Sequence, residues 1–188
     1  MTWAECQKQV MGFSGAEFKS FSTMEEAQAF AGVSAEGIPD TLPRAEKPAS
    51  DQVIAYVDGS YRSDTGEFSY GMVILKDGEE HTFCEKMTDK ELALMHNVAG
   101  EIKGSEAAMQ YAVDHNIPEI TIYHDYEGIA KWCTGAWKAT KPGTIAYQAF
   151  YRGVMKKVKV HFVKVKGHSN DKYNDMADQL AKKALGIL

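Results

Sequence analysis

The sequence predicts an α/β fold: a mixed β-sheet covered by helices, with a small appendage ahead of it. Three observations carry this. Segments 53–58, 68–75 and 79–87 read as strands that follow one another closely, and Lys76-Asp77-Gly78 between the last two is a tight hairpin signal, so an antiparallel meander is expected. From residue 97 onward helical periodicity alternates with two further strand-like runs, which implies crossover connections within the same sheet. Ahead of the meander, residues 33–52 hold Gly37, Pro39, Pro43 and Pro48 and cannot continue a helix or a central strand.

The segments follow in order. Residues 3–11 and 23–31 are rich in Ala, Glu, Gln and Met, and Thr23-Met24-Glu25-Glu26 has capping-box spacing, so both are expected to be helical. Between them Gly12-Phe13-Ser14-Gly15 is a turn and Glu17-Phe18-Lys19-Ser20-Phe21 a short extended piece. The chain therefore divides into a module at 1–32, a linker at 33–52 and a main domain at 53–188. In the main domain Val98, Ile102, Met109 and Val113 recur at approximately helical spacing over 97–114, and Pro118 follows the stop. Residues 119–124 form a strand ending in Asp125. Helices at 126–134 and 142–156 follow, then a strand at 158–165, a loop at 167–170 and a last helix at 171–185.

Composition bounds the class. With 188 residues, 44% hydrophobic and 25% charged, the chain can bury one sizeable core. No apolar run approaches membrane-spanning length and the N-terminus lacks a basic-then-apolar signal, so cytoplasmic residence, no membrane partner and a monomer are expected. Cys6, Cys84 and Cys133 offer neither a disulfide framework nor zinc-ligand spacing. Charge is polarised along the chain: net −3 over 1–50, −11 over 51–130 and +9 over 131–188. Such a split is either two faces that neutralise each other or an acidic metal site beside a basic polyanion track.

The acids carry the chemistry. In Ile54-Ala55-Tyr56-Val57-Asp58-Gly59-Ser60 an apolar strand ends in a carboxylate, and Asp125 ends another. If the two strands are parallel neighbours, both acids emerge at one sheet edge and suggest a cation; alone, Asp58-Gly59 is as well explained by a β-turn. Glu101, placed in the first turn of its helix, is ordinary at a helix start. Asp175 and Asp178 share a face of the last helix, and His168 is a loop histidine able to carry a proton near neutrality.

Together these residues resemble type 1 ribonucleases H. Tyr56-Val57-Asp58-Gly59-Ser60, Asn97-Val98-Ala99-Gly100-Glu101, Ile122-Tyr123-His124-Asp125, and Gly167-His168-Ser169 with Asn174-Asp175-Met176-Ala177-Asp178 are similar to that family's four motifs, in order, over about residues 51–186. The resemblance implies the ribonuclease H-like fold, a five-stranded mixed sheet with helices on both faces. It implies endonucleolytic hydrolysis of the RNA strand of RNA/DNA hybrids by a two-metal mechanism, leaving 5'-phosphate and 3'-hydroxyl ends. Asp58, Glu101, Asp125 and Asp178 would hold two Mg2+ ions, with Mn2+ an alternative, and His168 would assist proton transfer or product departure. Gly59, Ser60 and Asn97 would sense 2'-hydroxyls, and Trp132 would pack against sugars of the DNA strand. Residues 2–31 resemble the hybrid-binding domain found ahead of some of these enzymes, in truncated form beginning at its first helix; Trp3, Phe18 and Lys19 match hybrid-contacting positions, while Ser20 stands where a second Lys is common. The other readings are a nuclease or recombinase that shares the acidic fold but cuts DNA, and a nucleic-acid-binding protein without catalysis; the complete carboxylate set argues against the latter.

Overall fold

A computed structural model describes residues 52–166 and 171–187. The expected module at 1–32, the linker up to residue 51, the loop at 167–170 and therefore Trp3, Phe18, Lys19 and His168 lie outside the described residues.

Five strands form one mixed sheet in the order β3-β2-β1-β4-β5: β1 is Val53–Arg62, β2 Glu67–Lys76, β3 Glu79–Met87, β4 Glu119–His124 and β5 Lys159–Lys164. The first three pair antiparallel, whereas β4 runs parallel to both β1 and β5. β2 and β3 meet at Lys76↔Glu79, leaving Asp77 and Gly78 as a two-residue loop with φ of 53° and 79°. Positive φ at both loop residues matches the twist of the flanking strands, which is why Asp-Gly serves there.

Four helices are described. α1 is Asn97–Asp114, α2 Gly128–Thr134, α3 Pro142–Val154 and α4 Lys172–Ala184. Strand alternation decides which face each helix covers. Val53, Ala55 and Val57 of β1 and Met72 and Ile74 of β2 point toward α1, α2 and α3, where Ile102, Met109, Ile129 and Tyr147 close the main core. Ile54, Tyr56, Val73 and Leu75 point the other way, against Ala177 and Leu180 of α4. Helices thus lie on both faces, as the fold class requires. α4 is started by Asp171, whose Oδ1 accepts from the backbone N–H groups of Tyr173 and Asn174 at 3.1 and 3.2 Å.

Several sequence expectations change here. β1 does not stop at Asp58: it runs four residues further, because β2 continues to pair with it as far as Arg62↔Glu67. The Asp-Gly turn is therefore absent. Gly59 is needed instead because α1 crosses β1 closely; a Cβ at Gly59 would lie 2.2 Å from the Asn97 carbonyl oxygen and 2.6 Å from the Glu101 nitrogen. Glu101 is the fifth residue of α1, in its second turn, and is buried. The helix at 126–134 is shorter than expected, starting at Gly128, and the one at 142–156 ends at Val154.

Candidate active site

The parallel ladder between β1 and β4 ends at Tyr56↔Tyr123. Beyond it β4 finishes at His124 while β1 continues with β2 alone, so Asp58 and Asp125 face a cleft at the place where the two strands part. α1 crosses at the same point and inserts Glu101. One carboxylate oxygen from each of Asp58, Glu101 and Asp125 lies within 4.8 Å of the others.

The segment carrying Asp125 is held from both sides. The His124 carbonyl accepts from the Val165 N–H at 2.9 Å, and His124 Nδ1 lies 2.9 Å from the Tyr126 carbonyl, which can only accept, so Nδ1 carries the hydrogen. His124 is 1% exposed, and burial holds its imidazole below the usual range, neutral.

The electrostatics of the cluster are unfavourable without a cation. Burial pushes the Asp58 carboxyl up to about 7; Asp125 adds to the rise, the Gly59 N–H donating at 2.7 Å opposes it, and Asp178 raises it further. Burial pushes Glu101 up to about 9, with Asp125 and Asp58 contributing. Its Oε2 is buried and has no hydrogen-bond partner among the described residues. A buried carboxylate oxygen left open beside two more acids is a donor set that suits a hard divalent cation, so the residues present fit magnesium or manganese.

Asp178 approaches from α4, near enough for its charge to act on Asp58, but outside the three-oxygen group. Its Oδ2 accepts from Lys182 Nζ at 2.7 Å, one helical turn on. Sequence reading missed Lys182, although the Asp178/Lys182 spacing of four was visible. Asp175, the competing acid, is half-buried one turn earlier.

The flanks of the cleft hold the other sequence candidates. Gly59 and exposed Asn97 meet where β1 and α1 touch, and Ser60 follows at 9% exposure. Trp132 is only 8% exposed and belongs largely to the core, yet its ring lines an open pocket of about 220 Å³ with Leu94, Val98 and Tyr126. It also has aromatic neighbours that sequence reading passed over: the Tyr126, Trp132 and Trp137 centroids are 5.8 to 6.2 Å apart, and Lys131 Nζ sits 4.9 Å from the Trp137 ring centroid. Part of the basic C-terminal third is spent on acids of the middle third: Lys131 pairs with Glu127, Lys159 with Glu119 at 3.4 Å and Lys172 with Glu80 at 2.7 Å. Among the described residues no helix is long and apolar enough to cross a membrane.

Comparison with known proteins agrees with this geometry. Residues 50–186 match the family described as RNase H, and residues 1–31 match the family described as Ribonuclease H1 N-terminal domain. Ribonuclease H of Syntrophomonas wolfei is 27% identical over 148 residues, covering 73% of this chain and 98% of the relative, and that of Wolbachia pipientis is 28% identical, covering 71% and 95%. The fold is shared with the RNase H1 crystal structure from Halobacterium salinarum (TM-score 0.61, 24% identity, 73% of this chain and 99% of that one). It is shared too with LC11-RNase H1 in complex with an RNA/DNA hybrid (TM-score 0.57, 20% identity, 71% and 99%). A main domain matched over almost its whole length, preceded by the N-terminal domain characteristic of ribonuclease H1, places the chain in the ribonuclease H family of metal-dependent endonucleolytic hydrolases.

Proposed function

We propose that the protein binds RNA/DNA hybrids and hydrolyses their RNA strand with two divalent cations, leaving 5'-phosphate and 3'-hydroxyl ends. The observation that carries this reading is the convergence of Asp58, Glu101 and Asp125 within 4.8 Å at the parting of β1 and β4. A hybrid in complex with LC11-RNase H1, which has the same fold, supports the substrate class. When bound by these carboxylates, divalent cations would supply an activated water and stabilisation of the leaving oxygen.

In this reading the chain's own residues take the following roles. Asp58, Glu101 and Asp125 hold the cations, and Asp178 completes the set once its carboxylate leaves Lys182. Gly59, with no side chain, lets backbone and the Asn97 amide approach the minor groove, where Asn97 and Ser60 read 2'-hydroxyls. Trp132, which lines the pocket, and the neighbouring Trp137 and Lys131 contact the DNA strand by sugar packing and charge. His168 moves a proton at the leaving oxygen. Trp3, Phe18 and Lys19 add hybrid affinity from the N-terminal module. Magnesium is the natural cation, since it keeps several waters and needs few protein carboxylates, and manganese can replace it.

The test is cleavage of an end-labelled RNA/DNA hybrid beside single-stranded RNA, duplex RNA and duplex DNA. Cleavage confined to the hybrid's RNA strand, lost in chelator and lost in Asp58→Asn, supports the reading; full activity in excess chelator, or cleavage of duplex DNA, overturns it.

A further inference from the structure

β3 ends the sheet, and among the described residues nothing pairs with its outer side. Seven of its nine residues are exposed among the described residues. Long uncovered edges invite another strand, and proteins normally protect them with proline, a bulge or a centrally placed lysine. Residues 79–87, Glu-Glu-His-Thr-Phe-Cys-Glu-Lys-Met, have no proline and no glycine, and their lysine stands next to the end. Phe83 at the centre is 38% exposed and touches the domain edge-on through Tyr111, at a centroid distance of 5.8 Å.

The charges along β3 are complementary to themselves when the strand is reversed. We propose that two copies of the chain pair antiparallel through β3, Phe83 opposite Phe83, joining their sheets into one. In this register Glu80 faces Lys86, His81 faces Glu85 and Thr82 faces Cys84, each twice by symmetry. The faces agree as well. A two-fold axis perpendicular to the sheet brings together only residues of one face. Glu80 and Lys86 both lie on the α4 face, where Glu80 already accepts from Lys172, while His81, Phe83 and Glu85 share the α1 face, where Glu85 accepts from Tyr70.

Neighbouring registers are worse. Centring the pair on Thr82 opposes Glu79 to Glu85 twice. Centring it on His81 sets Glu79 against Phe83 and Glu80 against Thr82, and centring it on Cys84 sets Glu85 against Phe83 and Lys86 against Thr82, so neither forms a complementary charge pair. The opposite edge, β5, has Lys159 and Lys164 at its ends and no acid between, so pairing it with its own copy forms no complementary charge pair. The pairing edge is two strands from Asp58, which leaves the acidic cleft open. A ladder of nine residues is a small contact, so the dimer is weak and forms as concentration rises.

The experiment is sedimentation velocity on the full chain from micromolar to near-millimolar concentration, for the parent, for Glu80→Lys, for Lys86→Glu and for an equimolar mixture of the two variants. Both side chains are solvent-accessible, so the fold is expected to tolerate the changes. The parent is expected to shift from one chain toward two. Each variant alone opposes like charges twice and is expected to dimerise at least about tenfold more weakly. The mixture restores both complementary pairs, Lys against Glu on each side, and is expected to recover the dimer, which also demonstrates that both variants are folded. A parent that stays monomeric at every concentration, variants that dimerise as well as the parent, or a mixture that fails to pair would overturn the proposal. Species that grow beyond two chains would overturn it in favour of head-to-tail pairing of acidic β3 with basic β5.

Discussion

Replacing Asp58 by Asn is expected to stabilise the cation-free protein at pH 8 while it abolishes cleavage. Burial and Asp125 hold the Asp58 carboxyl at about 7 in the folded chain, against an ordinary 3.8. A folded value above the unfolded one means stability that is complete below about pH 4 and is lost as pH rises through about 7. Each pH unit between the two values is worth about 1.4 kcal/mol, which sets an upper limit of about 4 kcal/mol at pH 8. Asp58 borders an open cleft, and relaxation with water entry reduces the expected gain to about 1–2 kcal/mol. Asn keeps an oxygen for the Gly59 N–H, so the strand loses little there.

The assay is urea unfolding followed by far-ultraviolet circular dichroism, in chelator, at pH 5 and pH 8. The margin of Asp58→Asn over the parent should widen from the lower to the higher pH. Adding magnesium should then narrow it, because the parent gains about 1.4 kcal/mol for free cation at ten times its dissociation constant and the variant binds less. An Asn variant that is no more stable than the parent at pH 8, or a margin that does not change with pH, would refute the claim that these carboxylates are held together at a cost.

Three further outcomes concern the surroundings of the cluster. Asp178→Asn should lower the cleavage rate far more than Asp175→Asn and raise the cation concentration for half-activity, since only Asp178 acts electrostatically on Asp58; comparable losses would move the ligand one turn toward residue 171. Lys182→Met should lower that half-activity concentration severalfold, because it removes a cation paired with Asp178 at 2.7 Å; an unchanged or higher value would show that Lys182 does not compete for the site. His168→Ala should slow turnover by about 10- to 100-fold at substrate saturation without weakening cation binding measured by calorimetry, as expected of a positioned proton carrier; an unchanged rate would make His168 a surface residue.

The sheet and its acids were legible because strands covered on both faces leave near-continuous apolar runs, as in β1 and β2, and the motifs keep their order. What the sequence could not show was where strands part. Asp58-Gly59 resembles a turn locally, and only the crossing of α1 over β1 explains a glycine in mid-strand there. Glu101 looked like a helix-start residue because a helix's phase relative to a sheet is a tertiary property; its burial follows from Gly59 and Gly100 letting α1 approach. Lys182 was overlooked for a related reason. A spacing of four between acid and base usually marks a solvated helix face, and it is the packing of α4 on β1 and β2 that turns this one toward the cleft.

The same burial that destabilises the cluster couples cation binding to protons. With Asp58 at about 7 and Glu101 at about 9, the cation-free site carries at least one proton at pH 7 to 8, most of it on Glu101. A divalent cation binds the deprotonated form and must expel that proton, which weakens apparent affinity at neutral pH. As pH rises from 7 toward 9 the proton leaves by itself and apparent affinity should increase, up to about tenfold per pH unit for each proton displaced. Calorimetric titration with magnesium in buffers of different ionisation enthalpy measures both quantities: proton release on binding at pH 7, and a dissociation constant that falls toward pH 9. Glu101→Gln should abolish most of the proton release. Binding that releases no proton at pH 7, with an affinity flat across this range, would mean that Glu101 is already ionised in the free protein and that its open oxygen is not waiting for a cation.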